Sequence, residues 1–383
     1  MEFKNIKIAA PSRLWFKFPT SYRDFITDRT DGFVVGLLPV AMILGESIEV
    51  EGTMSQRLAH GIQEYQQVLK AWWPKQFNTI DLKYKSFEEK NHIVQKQGTG
   101  CSFSGGVDSF YSLWRHLPEN EPIPKYRITH CLLINGFDKD VDLDYTGNFN
   151  RVKQVYESMA QELGINLVVS CNNLQKFRLA VIEERDLYQS FGSAISASIL
   201  VLGNLFSRFY LAGSHTYEYD RLIPEGGHPV LDHLLSTESL EIIHDGANAS
   251  RAQKTAAIAN WPVTYFRLRV CFNKTIFNTQ TGIIENCCRC EKCIRTMTSL
   301  YLLKALPDYK TFPMPLNFRS ISRAGFISKG FRLFCKENIK LATKTKNRRV
   351  ALLLYYASLK GFLIENTVRP VYQKFKAILN RQH

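Results

Sequence analysis

The stretch CSFSGGVDS, residues 101–109, brings two glycines, three serines and an aspartate together within nine residues. Glycine allows the backbone to come close to a ligand and to adopt positive φ angles. When such a loop joins a strand to a helix, the N–H groups of the loop and of the helix N-terminus favour a bound anion. The residues therefore indicate a phosphate-binding loop, and the alternative is a serine-glycine turn at the surface.

A second group of residues suited to chemistry is a cluster of cysteines. Four of the nine cysteines fall within seven residues, namely Cys287, Cys288, Cys290 and Cys293, and Cys271 precedes them. Four thiolates suit a tetrahedral, structural Zn²⁺ site because no coordination position stays open. An iron–sulfur cluster also takes four cysteines, and buried or redox-active thiols are the alternative without a metal. Cys288 is a spare thiol or an alternative ligand, and we favour Cys287 because adjacent residues seldom both reach one metal.

The elements that must position these residues alternate between strand and helix from about residue 98. The predicted strands are 101–104, 129–136, 165–171 and 208–214, and the predicted helices are 107–117, 150–164 and 193–206. This order predicts an α/β fold with a doubly wound parallel sheet covered on both faces. Ligands of such sheets bind at the carboxyl ends of the strands. Breaks in the pattern fall there at Ser104–Gly106, Asn135–Gly136 and Gly213–Ser214.

Charge and composition divide the chain into three predicted regions. Residues 1–95 form an N-terminal α+β accessory domain, residues 96–302 the α/β domain with the cysteines, and residues 303–383 a basic helical region. Residues 303–383 hold 17 of the 49 basic and 3 of the 35 acidic residues, so the net charge of +14 arises there. Such a region can bind nucleic acid, an acidic protein or a membrane surface. Its aromatic residues recur at roughly helical spacing, which favours a core role for Tyr355, Tyr356, Phe362, Tyr372 and Phe375.

No part of the sequence predicts a membrane span or a secretion signal. The longest apolar candidate, residues 33–44, is interrupted by Gly36 and Pro39 and is shorter than the roughly 18 residues that a span needs. It reads as buried core. We therefore expect a soluble, cytoplasmic protein, and in that setting the crowded cysteines favour a metal site over disulfides.

The loop resembles that of a known superfamily. The nucleotide loop GxxxxGK[ST] is absent, whereas SGGVDS at 104–109 resembles the SGGxDS loop of the PP-loop ATP pyrophosphatases. The resemblance implies that the loop holds the pyrophosphate of ATP while the α-phosphorus is attacked. It implies a phosphate cradle of Ser104, Gly105, Gly106 and Ser109, with Asp108 orienting the loop or helping to hold Mg²⁺. The strand-end residues Asn135, Gly136 and Gly213 would lie against the nucleotide.

The cysteine pattern resembles a narrower group. A cysteine followed by CxxCxxC near the end of a PP-loop domain is similar to the 7-cyano-7-deazaguanine synthases and their relatives, whose four cysteines bind zinc. The resemblance implies the ligands Cys271, Cys287, Cys290 and Cys293. It covers roughly residues 98–300 and is specific at the two motifs only. Two features depart from the family pattern, because the gap after Cys271 is longer and Cys288 stands where the pattern has glycine.

Residues 213–254 are expected to supply the substrate side of the site. The candidates are His215, Asp220, His228, Asp232, Asp245, Arg251 and Lys254. Arg251 and Lys254 are three residues apart, so on a helix they share a face. Two cations on one face would bind a carboxylate or stabilise charge at the α-phosphate.

The expected function is that of an ATP-dependent ligase that releases AMP and pyrophosphate. The resemblance implies that a carboxylate, that of a deazaguanine-type base, is activated for attack by ammonia or by an amine of a protein or peptide. Some synthase-like proteins of bacterial antiviral defence clusters join a deazaguanine to a protein, and the added regions would suit such a role. A tRNA-modifying PP-loop enzyme and a non-catalytic nucleotide-binding scaffold are the alternatives. A homodimer and binding of nucleic acid through the basic region are left open.

Overall fold

The strands of the chain are short and lie mainly in its first 250 residues. The computed structural model describes residues 10–88, 98–137, 148–219, 223–271, 276–324 and 329–368. In these ranges the strands are β1 (Phe16–Lys17), β2 (Ile48–Met54), β3 (Leu82–Phe87), β4 (Gly98–Ser102), β5 (His130–Asn135), β6 (Asn166–Asn172), β7 (Phe206–Ala212), β8 (Glu241–Asp245), β9 (Ile276–Asn278) and β10 (Ile283–Glu285).

Helices connect these strands and form most of the chain beyond them. They are α1 (Asp31–Leu44), α2 (Gln56–Trp72), α3 (Val107–Arg115), α4 (Asn148–Glu162), α5 (Leu174–Leu179), α6 (Phe191–Val201), α7 (Arg251–Ile258), α8 (Glu291–Leu302), α9 (Phe318–Arg323), α10 (Lys329–Lys344) and α11 (Arg348–Leu363). Among the described residues, no helix has the length and the apolar character that crossing a bilayer requires.

The chain divides into two structural units. The first comprises the residues up to Ser104 and those from Ser112 to Asn248, and the second comprises Gly105–Tyr111 and the residues from Ala249 onward. This division cuts the chain within the glycine loop and within α3. The boundaries predicted near residues 95 and 302 rest on charge and composition rather than on contacts between residues. They stay a prediction.

A six-stranded sheet in the order β1-β6-β5-β4-β7-β8 lies in the first unit. β4 pairs in parallel with both β5 and β7, and β6 and β8 continue the parallel arrangement on either side. Only β1 runs antiparallel to its neighbour. The prediction of a mixed α/β fold with a mostly parallel sheet is confirmed, and β4 is the strand at which the strand order reverses.

Close packing explains why the central strand is rich in glycine. A Cβ atom on Gly100 would come within 2.5 Å of the Phe209 ring and within 2.8 Å of the Phe206 ring. Both rings are fully buried. A larger side chain at Gly100 would displace these rings. Glycine at this position therefore allows the two aromatic side chains to fill the core beside β4.

The N-terminal residues share the core of the sheet. Apolar side chains of α1 and α2, among them Val35, Leu38 and Leu58, join residues of β5 to β8 in one cluster. The segment 33–44 is thus buried as predicted, and it is helical. A Cβ on Gly32 would come within 2.5 Å of the Ala197 carbonyl oxygen, which shows how closely α1 and α6 approach.

Most predicted elements are observed, with errors at their ends. The helix predicted for 193–206 ends at Val201, because Gly203 and Asn204 break it, and β7 already begins at Phe206. Gly164 follows α4 and adopts a left-handed φ of +65°, as expected for a residue that terminates a helix. The strand predicted for 101–104 instead spans Gly98–Ser102.

The second unit contains helices α7 to α11 and the hairpin of β9 and β10. Its apolar cluster includes Ile294 of α8, Ile339 of α10 and Leu354 of α11. The predicted helical character of the basic region is confirmed for the described residues. Tyr372 and Phe375 lie outside them.

The predicted core role of three aromatic residues in this region is wrong. Tyr355 and Tyr356 are each 58 % exposed, and Phe362 is 51 % exposed. The helix α11 buries its opposite face instead, through Val350, Leu354 and other small or apolar residues. Helical spacing identifies which residues share a face, but it does not show which of two apolar faces is covered.

A buried carboxylate joins α3 to the sheet within the first unit. Asp245, at the end of β8, accepts hydrogen bonds from Ser112 Oγ (2.6 Å), Arg115 Nη1 (3.0 Å) and His116 Nε2 (3.1 Å). Burial alone would raise the pKa of Asp245, but the hydrogen bonds from His116 and Ser112 and the charges beside it outweigh burial and lower it. Asp245 therefore has a structural role, in contrast to its predicted place on the substrate side.

Replacing Asp245 by Asn tests this role. We expect the free energy of unfolding to fall by about 2–4 kcal/mol, because buried donors lose a charged acceptor. Since the folded-state pKa is lowered, this contribution is present above about pH 4 and is lost as the pH falls further. Urea titrations at pH 7 would measure the loss. The matched control on the same strand is Glu241→Ala, whose exposed ion pair with Arg208 (2.8 Å) is worth about 0–1 kcal/mol. Equal losses in the two variants would contradict the assignment.

Candidate functional site

The aspartate of the glycine loop lies against two cations in the second unit. Asp108, in the first turn of α3, forms ion pairs with Arg251 and with Lys254, whose Nζ lies 3.4 Å from the carboxylate. Arg251 opens α7, and Lys254 follows three residues later on the same side, as their spacing predicts. The side chain of Lys254 is only 1 % exposed. A buried ammonium of this kind requires a nearby anion, and Asp108 supplies it.

Local hydrogen bonds fix where α7 begins. Ser250 caps the helix by accepting from the Gln253 N–H, and the Gln253 side chain accepts from the Ser250 N–H in return. This capping box satisfies two of the open N–H groups of the first turn. A third, that of Ala252, donates to Glu337 Oε2 at 3.2 Å. The start of α7, and with it the position of Arg251, is therefore determined by the sequence around it.

A third cation, Arg295 of α8, lies beside the other two. Its guanidinium carbon is 4.1 Å from the centre of the Phe334 ring, and that of Arg251 is 4.8 Å from the same ring. Such cation–π contacts stabilise buried guanidinium groups. Glu291 Oε1 lies 3.3 Å from Arg295 Nη1. Phe334 and Glu337 could not be predicted from the sequence, because they lie in the basic helical region and no motif marks them.

Neighbouring charges keep Asp108 ionised, and Arg295 also stays charged at neutral pH. Burial alone would raise the pKa of Asp108, but the charges of Arg251, Lys254 and Arg295 lower it below its ordinary value. Burial, and then the charge of Arg251, lower the pKa of Arg295 to about 10. Both groups therefore carry their charges at neutral pH, and the site combines one firmly ionised carboxylate with three cations.

The loop itself is held in a defined conformation. Gly105 has a φ of +75°, which favours glycine, and its carbonyl accepts from the Arg269 N–H at 2.7 Å. Ser109 Oγ donates to the Gly106 carbonyl at 3.1 Å, so this hydroxyl braces the loop. That a phosphate binds to Ser109, Gly105 and Gly106 stays a prediction.

The other predicted nucleotide contacts follow strand ends in the first unit. Ser104 follows β4, Asn135 ends β5, and Gly136, with a φ of +93°, comes next. Gly213 follows β7, and its N–H donates to the Asp245 carbonyl. A Cβ there would come within 2.2 Å of His244 Nε2, so the imidazole requires glycine at this position. The predicted placement at strand ends is thus observed, and contact with a nucleotide stays a prediction.

Most of the remaining substrate-side candidates form hydrogen bonds or ion pairs with other side chains or backbone groups of the first unit. The oxygens of Asp232 accept from the His228 N–H (3.1 Å) and from His244 Nδ1 (2.7 Å). Burial, and then the neighbouring His244, lower the pKa of His228 to about 4, so it is neutral at pH 7. His215 Nε2 lies 3.7 Å from Glu225. Asp220 lies outside the described residues. Among these candidates, Arg251 and Lys254 are the ones that join Asp108.

The four predicted metal ligands come together in the second unit. The sulfur atoms of Cys271, Cys287, Cys290 and Cys293 all lie within 4.8 Å of one another. Individual separations are 3.4 Å for Cys290–Cys293, 3.8 Å for Cys287–Cys293 and 3.9 Å for Cys271–Cys290. A tetrahedral Zn²⁺ with Zn–S bonds of about 2.3 Å would place its sulfurs about 3.8 Å apart. A metal such as zinc therefore fits, and its role there would be structural.

Backbone geometry decides which of the two adjacent cysteines joins the cluster. Cys287 Sγ accepts from the Cys290 N–H at 3.3 Å, whereas Cys288 has a φ of +55° and its thiol donates to the Asn286 carbonyl. The preference for Cys287 is therefore supported. Asn286, which is buried, accepts from the Val270 and Cys271 N–H groups at 2.8 and 3.2 Å and so brings the distant Cys271 to the cluster.

Comparisons of the chain with protein-family models, with curated proteins and with solved structures found no match. The function must therefore be argued from the residues themselves and from the resemblance of the two motifs.

Zinc binding is tested by the adjacent pair Cys287→Ser and Cys288→Ser. We expect the purified wild-type protein to hold about one equivalent of zinc, the Cys287 variant to lose most of it, and the Cys288 variant to keep it, because a structural site needs four thiolates. Elemental analysis gives the metal content, and the charge-transfer bands of the Co²⁺-substituted protein report thiolate ligation. Equal retention in both variants would contradict the ligand set, and bound iron with sulfide would indicate a cluster instead.

Proposed function

We propose that this chain is an ATP-dependent adenylating enzyme that cleaves ATP to AMP and pyrophosphate. The observation that carries the proposal is the ion pairing of Asp108, in the SGGVDS loop, with Arg251 and Lys254 of α7. These residues are more than 140 positions apart in the sequence. A loop that resembles a pyrophosphate cradle thus lies beside two cations of α7 that are suited to a phosphate ligand.

The position of the loop in the topology supports the same function. The loop follows β4, at which the strand order reverses. In open α/β sheets ligands bind at such switch points, beyond the carboxyl ends of the strands. The full doubly wound PP-loop domain, with Ser104, Asn135, Gly136 and Gly213 beside the nucleotide, is part of this proposal.

The proposed reaction has two steps. A carboxylate oxygen of the substrate attacks the α-phosphorus of ATP, the bond to the bridging oxygen breaks, and pyrophosphate leaves with that electron pair. A nitrogen nucleophile then attacks the activated acyl carbon, AMP leaves, and the nucleophile loses a proton. The adenylate divides a difficult substitution into two easier ones because AMP is a good leaving group.

The residues of the site would act by electrostatics. Loop N–H groups, Arg251 and Lys254 would stabilise the negative charge that develops at the phosphates. Both carboxylate oxygens of Asp108 already face cations, which favours a role in positioning Arg251 and Lys254. Mg²⁺, when bound with ATP, would neutralise phosphate charge. The cysteine site would hold the start of α8, on which Arg295 lies.

The substrate class follows from the resemblance to deazaguanine synthases. We propose a deazaguanine-type carboxylate as the activated acid, and ammonia or an amine of a protein or peptide as the acceptor. The second unit extends beyond α8 through α9, α10 and α11, and an addition of this size would suit an enzyme with a macromolecular acceptor.

Pyrophosphate release measured with ATP, Mg²⁺ and a panel of deazapurine carboxylates tests this function. We expect release with the wild-type protein and a loss of about 10²–10³-fold in kcat for Lys254→Met, because one stabilising charge is removed from the transition state. Asp108→Asn should lower the rate similarly by freeing the two cations. Lys336→Met, an exposed lysine of α10, is the matched control and should keep the wild-type rate.

The outcomes separate the alternatives. Bound ATP without pyrophosphate release, in the presence of every acid and amine tested, would contradict catalysis and favour a nucleotide-binding scaffold. Release that depends on added tRNA would favour a tRNA-modifying enzyme. Thermal melting of each variant excludes loss of rate through unfolding.

A further inference from the structure

The helix α11 carries two opposite apolar faces, and only one of them is buried. Val350, Leu354, Ala357 and Gly361 are buried. The outer face, by which we mean the large apolar side chains on the other side, is between 49 % and 69 % exposed. Its members are Leu352, Tyr355, Tyr356, Leu359, Phe362 and Leu363.

The outer face is one continuous stripe. Its members follow one another at intervals of three residues or one, which keeps them on one side of an α-helix. The helix of 16 residues is about 24 Å long, so the stripe extends over most of that length. Six large apolar side chains in contact with water are unfavourable, and a contiguous exposed patch of this kind marks an interaction surface.

Cations surround this stripe in the sequence and on the neighbouring helix. Lys336, Lys340 and Lys344 are exposed on α10, and their spacing of four residues places them in one row. Arg348 and Arg349, at the start of α11, and Lys360, near its end, are also exposed. Like charges in a row repel one another, and an anionic surface beside the row would relieve that repulsion.

The helices α10 and α11 contribute few acidic residues of their own. Between residues 329 and 368 the sequence has two of them, Glu337 and Glu365. Glu337 is buried and accepts from the Ala252 N–H, and Glu365 pairs with Arg332 at 2.5 Å. The exposed charge of α10 and α11 is therefore positive.

The chemistry distinguishes among possible occupants. A second copy of this chain would bring equal positive charges together, and nucleic acid would leave the apolar stripe uncovered. A protein partner would need a groove of its own to take up the outer face, because that face is the convex side of a single helix. A lipid surface needs no groove, because its acyl chains take up apolar side chains while its headgroups meet flexible lysines. Tyrosine is also favoured at membrane interfaces.

We propose that the outer face of α11 and the lysine row of α10 bind an anionic membrane surface, with α11 lying in the plane of the interface. The apolar side chains would enter the boundary between headgroups and acyl chains, and the lysines and arginines would lie among the anionic headgroups. This contact is peripheral and reversible, and it is independent of the proposed adenylating activity.

Flotation of the full-length protein with vesicles tests the proposal. We expect binding to vesicles of phosphatidylcholine with about 30 % phosphatidylglycerol at low salt, and weak binding to phosphatidylcholine alone, because anionic headgroups attract lysine and arginine side chains near the surface. Leu352→Glu with Leu359→Glu should weaken binding roughly 100-fold or more, because two apolar anchors become anions. Lys336→Gln with Lys340→Gln should weaken it by roughly fivefold per lysine.

A matched control uses an exposed apolar side chain elsewhere. Ile123, which is 49 % exposed in the first unit, is replaced by Glu and should leave vesicle binding unchanged. All substituted positions are exposed, so the variants should fold. Circular dichroism and thermal melting of each variant check this.

Three results would overturn the proposal. The first is equal binding to neutral and anionic vesicles, or binding that the Leu352 and Leu359 substitutions do not change. The second is a wild-type dimer in analytical ultracentrifugation that the same substitutions dissociate, with no vesicle binding, which would make the outer face an interface between copies. The third is tight, salt-sensitive binding of RNA or DNA that anionic vesicles fail to displace.

Discussion

The pairing of Asp108 with Lys254 and Arg251 is the constraint on which the second unit's site depends. An ammonium as deeply buried as that of Lys254 is unfavourable without an anion close by. The loop aspartate must therefore remain beside the first turn of α7 for that helix to pack as it does. The same contact lowers the pKa of Asp108 and keeps it ionised. Stability and the proposed chemistry thus require the same geometry.

The helix α8 connects this group to the cysteines. Cys290 caps the helix, and Cys293 and Arg295 lie within its first five residues. The spacing that brings Cys290 and Cys293 into the thiol cluster therefore also directs the guanidinium of Arg295 toward Phe334, where it lies near Arg251. A metal at the cysteines would hold the first turn of α8 and so limit how far Arg295 can move.

Local sequence determined much of this protein. Alternating strands and helices, with glycine at their ends, predicted a mostly parallel sheet and placed the SGGVDS loop after its first parallel strand. The spacing of the cysteines, with the family resemblance, predicted the four thiols that lie together, and the three-residue spacing of Arg251 and Lys254 placed them on one helical face. These features depend on hydrogen bonding and periodicity between near neighbours in the chain, which sequence records directly.

Only the tertiary structure decided which distant groups meet and which faces are covered. Asp245, predicted near the substrate, is instead held by Ser112, Arg115 and His116. Phe334 and Glu337 join the Asp108 group although no motif marks them. The apolar residues of α11 divide into a buried and an exposed face that the sequence pattern cannot distinguish, because both have helical spacing. Contacts between distant residues depend on how whole elements pack, and packing is a property of the assembled fold.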